Sequence, residues 1–394
     1  MAAEINNRKI NIIDSTLRSG EQTAGVVFSK NEKIRIAKML DEIGIPELEV
    51  GVPNISSSER ETIREILNLN LSSRIFGYLE AIPANISYAR ECGLKNIVVT
   101  VFTSDGHIKE KYKKSKNVLI SSLKETIKEI KKNDLDFIIS AEDGTRADLE
   151  LLLQIINIAK SKGALRVRIC DSVGAFDPFK TFLRINTILS AIDFPIEVHT
   201  KNNFGMATAN GLAAIRAGAS SIMTSVNGLA EGTSNAALEE IVMALKYLEN
   251  IDLGINTSRF REISEYVAKS SSRAIPVWKA IVGTNVFAHE SGIHADGVLK
   301  NPRNYEVFEP AEVGLTRQLV VGKHSGSHTI LHKFKEFGID LTDTEANEIL
   351  ALTRAMSVDL KRTLFDKELM YIYRDYKESK KKQFQAEDDS DGID

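Results

Sequence analysis

Cysteine is nearly absent from this chain. Cys92 and Cys170 are the only two in 394 residues, too few for a disulfide scaffold and without the spacing of a zinc ribbon. A reducing compartment is expected. Long hydrophobic runs are missing as well: no stretch of about 18 apolar residues occurs, and the opening MAAEINNRKINIID has no apolar leader segment. These absences point to a cytoplasmic protein with no membrane partner. Charge of one sign is also lacking. Lys and Arg number 51 against 54 Asp and Glu, a net charge of -3, which argues against a nucleic-acid partner. No G-x-G-x-x-G follows the first apolar run, which weighs against an open dinucleotide-binding sheet.

What the sequence does contain is a rhythm. Short, β-branched apolar runs recur: KINIID (9–14), ELEVG (47–51), RIFGY (74–78), NIVVTV (96–101), DFIIS (136–140), LRVRIC (165–170), IEVHT (196–200) and SIMTSV (221–226). Amphipathic stretches such as KNEKIRIAKMLDEIG (30–44) and NGLAAIRAGA (210–219) lie between them, each closing on a glycine. Strands alternating with helices imply parallel pairing, and eight such units in about 250 residues imply an α/β fold, a closed (β/α)8 TIM barrel. We place the barrel at 8–255, a linker and C-terminal subdomain at 256–330, a helical subdomain at 331–380 and a charged, disordered tail at 381–394.

In such barrels the active site lies at the carboxyl ends of the strands. Strand one runs into Asp14, Arg18, Ser19, Glu21 and Gln22. Strand two ends at Glu49, strand three at Glu80, strand five at Glu142 and Asp143, and strand six at Asp171 and Ser172. Strand seven gives His199 and Lys201, strand eight leads to Asn227, and a later turn adds Asn235. Any one of these is readily a solvated or helix-capping group, and a lone His on a half-buried strand is usually a satisfied core residue. Arg18 stands apart, because a planar guanidinium in a glycine-containing turn suits a carboxylate. Acidic, basic and imidazole groups around one basin suggest chemistry on a small carboxylate-bearing molecule. His199 and Lys201 share one face of their strand, spaced like a two-pronged metal clamp with one prong cationic.

DSTLRSGEQTAGVVFS (14–29) resembles the DTTLRDGEQ opening of the isopropylmalate, homocitrate and citramalate synthases. SAEDGTRAD, DSVGAFDPF, HTKNNFGMATANGLAAIRAGA, VNGLAEGTSNAALEE, HESGIHADGVLKNP and GKHSG are similar to further blocks of that family, in order, over about 8–330. QTAGVVFS with PELEVGVP looks most like the homocitrate synthases of nitrogen-fixing bacteria. The regulatory C-terminal domain of full-length isopropylmalate synthases is missing, which is expected to set the chain apart from a leucine-inhibited enzyme.

The resemblance implies an acyltransferase that condenses acetyl-CoA with a 2-oxo acid around a divalent metal (Mg, Mn or Zn). 2-Oxoglutarate, giving homocitrate, is the leading substrate; 2-oxoisovalerate, pyruvate and oxaloacetate are alternatives. A lyase running the reverse cleavage ranks lower. By resemblance, Arg18 stabilises the enolate or alkoxide oxygen. Gln22, Glu49 and Glu142 surround the oxo acid and its base, and Ser172 stands at a substrate-contacting threonine. His294 and Tyr305 reach the neighbouring subunit of a homodimer.

The family's metal positions fall on Ser19, His199, Lys201 and Asn235, so a carboxylate and an imidazole have been replaced. Asn203, Glu80 and Ala230 depart from the family pattern nearby. Lys201 is read as an ammonium doing part of the ion's work, or as a Schiff-base lysine. The other readings are a metal held by His199, Asn235, substrate and water, and a barrel that no longer catalyses.

Overall fold

The computed structural model describes residues 9–111 and 115–391. Eight parallel strands close into a barrel in chain order: β1 (Asn11–Asp14), β2 (Glu47–Gly51), β3 (Arg74–Glu80), β4 (Asn96–Phe102), β5 (Asp136–Glu142), β6 (Val167–Asp171), β7 (Ile196–Thr200) and β8 (Ser221–Thr224). β1 pairs with both β2 and β8, which closes the ring. All eight expected strands are present, since Val- and Ile-rich segments buried on both faces suit a parallel sheet under helices.

Helices α1 (Lys30–Glu42), α2 (Ser57–Leu67), α3 (Ile86–Cys92), α4 (Lys116–Lys132), α5 (Leu149–Ser161), α6 (Pro178–Ala191), α7 (Ala207–Ala217) and α8 (Leu238–Leu248) follow the strands in turn. Local chemistry sets their ends. Ser29 and Glu32 form a reciprocal capping box at the start of α1. Gly218 closes α7 at φ +116°, a left-handed geometry open to glycine. Inside α7, a side chain at Gly211 would sit 2.3 Å from Ile222 of β8, so the helix presses directly on the barrel wall.

The chain divides into two compact units. The first runs up to Pro276 and includes Ala280–Val282; the second comprises Val277–Lys279 and Gly283 onward. Helix α9 (Phe260–Ser271), which lies past the expected barrel end, belongs to the first unit. It buries Phe260, Ile263 and Val267, so its apolar stripe completes the barrel's helical coat. The second unit carries β9 (Ala288–His289), α10 (Gly292–Lys300), β10 (Gln318–Leu319), α11 (Ser327–Glu336), α12 (Asp343–Leu360) and α13 (Asp366–Asp391). Its core gathers Val321, Ile330, Phe334, Ile349, Leu369 and Ile372. The charged stretch expected to be disordered continues α13 as helix to Asp391, with 392–394 outside the described residues. Lys, Glu, Gln and Ala are good helix formers, and no glycine or proline interrupts them before Gly392. No described helix is long and apolar enough to cross a membrane.

The barrel interior is unusual in its charge. Inward positions alternate along each strand, and on β2, β6 and β7 they carry ions. Glu49 bonds both Arg18 and Arg168. Arg168 also bonds Glu197, whose second oxygen takes Arg166 Nε at 2.6 Å, and Arg166 Nη1 reaches Glu47 at 3.1 Å. Cation and anion thus alternate through a buried chain, with Phe76, Val98 and Ile138 packed together as an apolar cluster. Removing one member strands its neighbours in low dielectric. Arg168→Met is expected to destabilise the fold by about 3–5 kcal/mol in urea unfolding. The more exposed Arg60–Glu91 pair should lose less than about 1 kcal/mol on Arg60→Met. Equal losses would contradict a structural role for the chain.

Candidate active site at the barrel mouth

Arg18 sits on a tight buried helical turn, Thr16–Gly20, immediately after β1. Asp14 Oδ1 accepts the Thr16 amide at 2.8 Å, and Thr16 Oγ1 in turn accepts the Val226 amide at 2.8 Å. The Arg18 guanidinium is fixed on several sides. Nε donates to Glu49 Oε2 at 2.9 Å, Nη2 lies 2.7 Å from the same oxygen, and the Tyr78 ring centroid is 4.3 Å from the guanidinium carbon. Nη1 has only a long contact, 3.5 Å, to Gln22 Oε1. That edge is the part of Arg18 left for another oxygen. Both Glu49 oxygens are occupied by guanidiniums, and despite burial Arg168 and Arg18 hold this carboxyl down at about 2. Glu49 anchors Arg18.

β7 presents Glu197, His199 and Lys201 on one face. His199 is buried, with Nε2 2.8 Å from Asn235 Oδ1, while Asn235 Nδ2 donates to Ser19 Oγ at 3.0 Å. With Asn235 Oδ1 turned toward it, Nε2 is placed to donate in this contact, the Asn235 amide donating in turn to Ser19. Burial, followed by the Lys201 charge, pushes the His199 pKa well below its ordinary value, so the ring is neutral. Lys201 pairs with Asn235 across an isolated bridge, and its ammonium donates to the main-chain carbonyl of Glu231 at 2.9 Å. Burial lowers its pKa; the Glu231 carboxylate opposes this, and the fields of Arg18 and Glu142 act on it in opposite senses. Arg18, Gln22, Tyr78, Glu142, His199, Lys201, Asn235 and Ser19 are therefore linked by hydrogen bonds or by close electrostatic coupling.

A divalent ion is held chiefly by carboxylate, neutral imidazole or thiolate donors, with amide oxygens and water completing the shell. Here the four positions offer a hydroxyl, a single imidazole, an amide and an ammonium, with no anionic donor and one fixed cation among them. The residues do not fit a divalent metal. Among the described residues no group of three or more His, Cys, Asp or Glu could hold one.

Other strand-end groups serve the scaffold. Asp143 holds Arg146 through contacts of 2.6–3.1 Å, and its amide donates to Ser172 Oγ at 2.8 Å. Asp171 accepts the Ala175 and Phe176 amides, Asn227 bridges Glu239 and Ser264, and Glu21 pairs with Lys33. In the second unit, the His294 and Tyr305 rings meet at a tilt of 52° with centroids 4.5 Å apart. Tyr78, Arg168 and Glu197 were missed among the sequence candidates. Their signal was the i, i+2 spacing of charged and aromatic groups along strands of a closed barrel, where every second residue points inward.

Asp14 supplies a test. Burial raises its carboxyl from an ordinary 3.8 to about 7, and Oδ2 has no hydrogen-bond partner. Between pH 4 and 7 the folded state therefore binds more protons than the unfolded chain, and stability falls as pH rises through that window. The three-unit shift is worth about 4 kcal/mol at most. Asp14→Asn keeps an acceptor for Thr16 and removes the charge. Its melting temperature should rise relative to the unaltered protein between pH 5 and pH 8; a pH-independent difference would show that Asp14 is not held neutral.

Comparison with known proteins places the chain. The HMGL-like family description matches residues 9–267, and the homocitrate synthase post-HMGL domain-like description matches 281–361. The chain is 53% identical over 369 residues to 2-isopropylmalate synthase 2 of Caldanaerobacter subterraneus subsp. tengcongensis, covering 94% of this chain and 96% of that protein. It is 45% identical over 371 residues to homocitrate synthase 1 of Nostoc sp., covering 94% and 98%. The HMG-CoA lyase of Bacillus subtilis shares the fold with a TM-score of 0.61 at 20% identity, over 69% of this chain and 96% of that one. These matches do not single out the homocitrate type of nitrogen fixers. Chain length does not separate the types either, since a 2-isopropylmalate synthase is matched over nearly its whole length. The chain belongs to the HMGL-like family, in the branch of the 2-isopropylmalate, homocitrate and citramalate synthases.

Proposed function

We propose that this protein condenses acetyl-CoA with a 2-oxo acid. The observation that carries the reading is the Arg18 guanidinium at the carboxyl end of β1, fixed by Glu49 and Tyr78 and with Nη1 making only a long contact to Gln22, next to the Ser19–Asn235–Lys201 group. Family membership supports the same chemistry. In the reaction, the thioester methyl loses a proton and its carbon bonds to the ketone carbon. The ketone oxygen becomes an alkoxide and takes up a proton; water then cleaves the thioester, releasing CoA and a new carboxylate. Developing negative charge on oxygen is what a preorganised guanidinium stabilises best. Glu142, half-buried and electrostatically coupled to Lys201 and Tyr78, is the carboxylate assigned to the methyl proton.

2-Oxoglutarate, giving homocitrate, is the first substrate to test. 2-Oxoisovalerate, pyruvate and oxaloacetate differ by a few pocket contacts. His294 and Tyr305 are assigned to the site of a second copy in a homodimer. One observation favours a second reading, a barrel that binds an oxo acid without condensing it: the polar groups at the altered ligand positions are hydrogen-bonded to one another.

A CoA-release assay across the four oxo acids separates these readings. Release with at least one is expected, and no release with any moves the protein to the binding reading. Arg18→Lys should lower kcat/KM by about 100-fold or more, because an ammonium cannot reproduce the fork. Mixing Arg18→Gln with His294→Ala subunits should restore roughly a quarter of the activity if sites are shared between copies; no recovery would confine the site to one chain.

A further inference from the structure

The inward row of β7 ends in Lys201, whose ammonium makes no direct ion pair among the described residues, although the Glu231 and Glu142 carboxylates act on it from a distance. Below it, the interior ions pair off: Arg18, Arg168 and Arg166 against Glu49, Glu197 and Glu47. Lys201 stands outside that chain. Its hydrogen bond goes to a main-chain carbonyl, Glu231 O at 2.9 Å, and an ammonium has three donors to place. The position facing Asn235 from the β1 turn, where a carboxylate would neutralise it, is Ser19.

The replacements also conserve charge. An aspartate, two neutral histidines and an asparagine around a divalent ion sum to one positive charge. Ser19, neutral His199, Asn235 and an ammonium at Lys201 sum to the same. The ion's former neighbours now bind one another through His199–Asn235 at 2.8 Å and Asn235–Ser19 at 3.0 Å. This closed relay is satisfied without a cation between its members.

An α-oxo carboxylate presents two adjacent oxygens, one on the ketone and one on the carboxylate. Arg18 Nη1, with only a long contact to Gln22, and the Lys201 ammonium are two donors of the same sign on either side of one contact: Ser19, next in the chain to Arg18, bonds Asn235, which pairs with Lys201. We propose that Lys201, acting with Arg18, replaces the divalent ion of this family: the oxo acid is bound and its ketone polarised by an ammonium and a guanidinium, independently of metal. The polarising role rests on the condensation reading above; the binding role does not.

Isothermal titration of 2-oxoglutarate and pyruvate into the protein in EDTA tests this. At least one is expected to bind, with Kd changing less than about twofold when excess Mn²⁺ replaces the chelator. Lys201→Gln should weaken binding more than about tenfold. The paired reversion Ser19→Asp with Lys201→His should gain stoichiometric Mn²⁺ binding, read by electron paramagnetic resonance, that the unaltered protein lacks. The inference is overturned if the unaltered protein binds Mn²⁺ stoichiometrically and needs it to hold the oxo acid, or if Lys201→Gln binds as before. The unaltered protein and Lys201→Gln decide the matter even if the reversion folds poorly. Oxo-acid binding in EDTA without CoA release would remove the condensation reading and leave the site standing. CoA release only with Mn²⁺ would do the opposite.

Discussion

Glu49 holds two guanidiniums at once, and the geometry of the barrel mouth depends on it. One oxygen fixes Arg18 at the rim; the other ties Arg168 into the interior. A carboxylate so deep in the barrel is tolerable only because both sides are met by cations. That link makes the strand-end turn that carries Arg18 continuous with the core. Arg18 is aimed by a chain of charges running down β2, β6 and β7, and its free edge is set by groups that cannot move independently.

On that fixed rim the altered positions form a coherent set. Ser19, His199 and Asn235 satisfy one another, and Lys201 supplies the charge that they lack. Either substitution alone would be costly: a lysine beside a metal repels it, and a serine for aspartate removes its one anion. Together they restore the local charge without an ion. This charge balance supports the proposed metal-independent binding of an oxo acid over piecemeal decay.

The barrel was legible in the sequence because β-branched runs at regular intervals leave few alternatives. The attachment of α9 was less so, since an amphipathic stripe does not say which core it covers. The strand-end residues were found as a class, yet sequence could not sort them. Asp143, Asp171 and Asn227 hold turns, whereas Arg18 and Lys201 flank the Ser19–Asn235 contact, and the difference lies in hydrogen bonds across strands. Ser19 and Asn235 are 216 positions apart, a contact that no local pattern reveals. The interior ions were hidden for a related reason. R-V-R and E-V-H look like strands with one wet face, and only closure of the ring turns that face inward.

The account centres on two cations sharing one small anion. A crystal structure of the protein grown in EDTA and soaked with 2-oxoglutarate or pyruvate tests it most directly. The account predicts the keto oxygen within about 3 Å of both Lys201 Nζ and an Arg18 Nη, with the His199–Asn235–Ser19 relay intact. An oxo acid bound away from Lys201, or Mn²⁺ ligated by His199 and Asn235 in a parallel crystal grown with the metal, would contradict it.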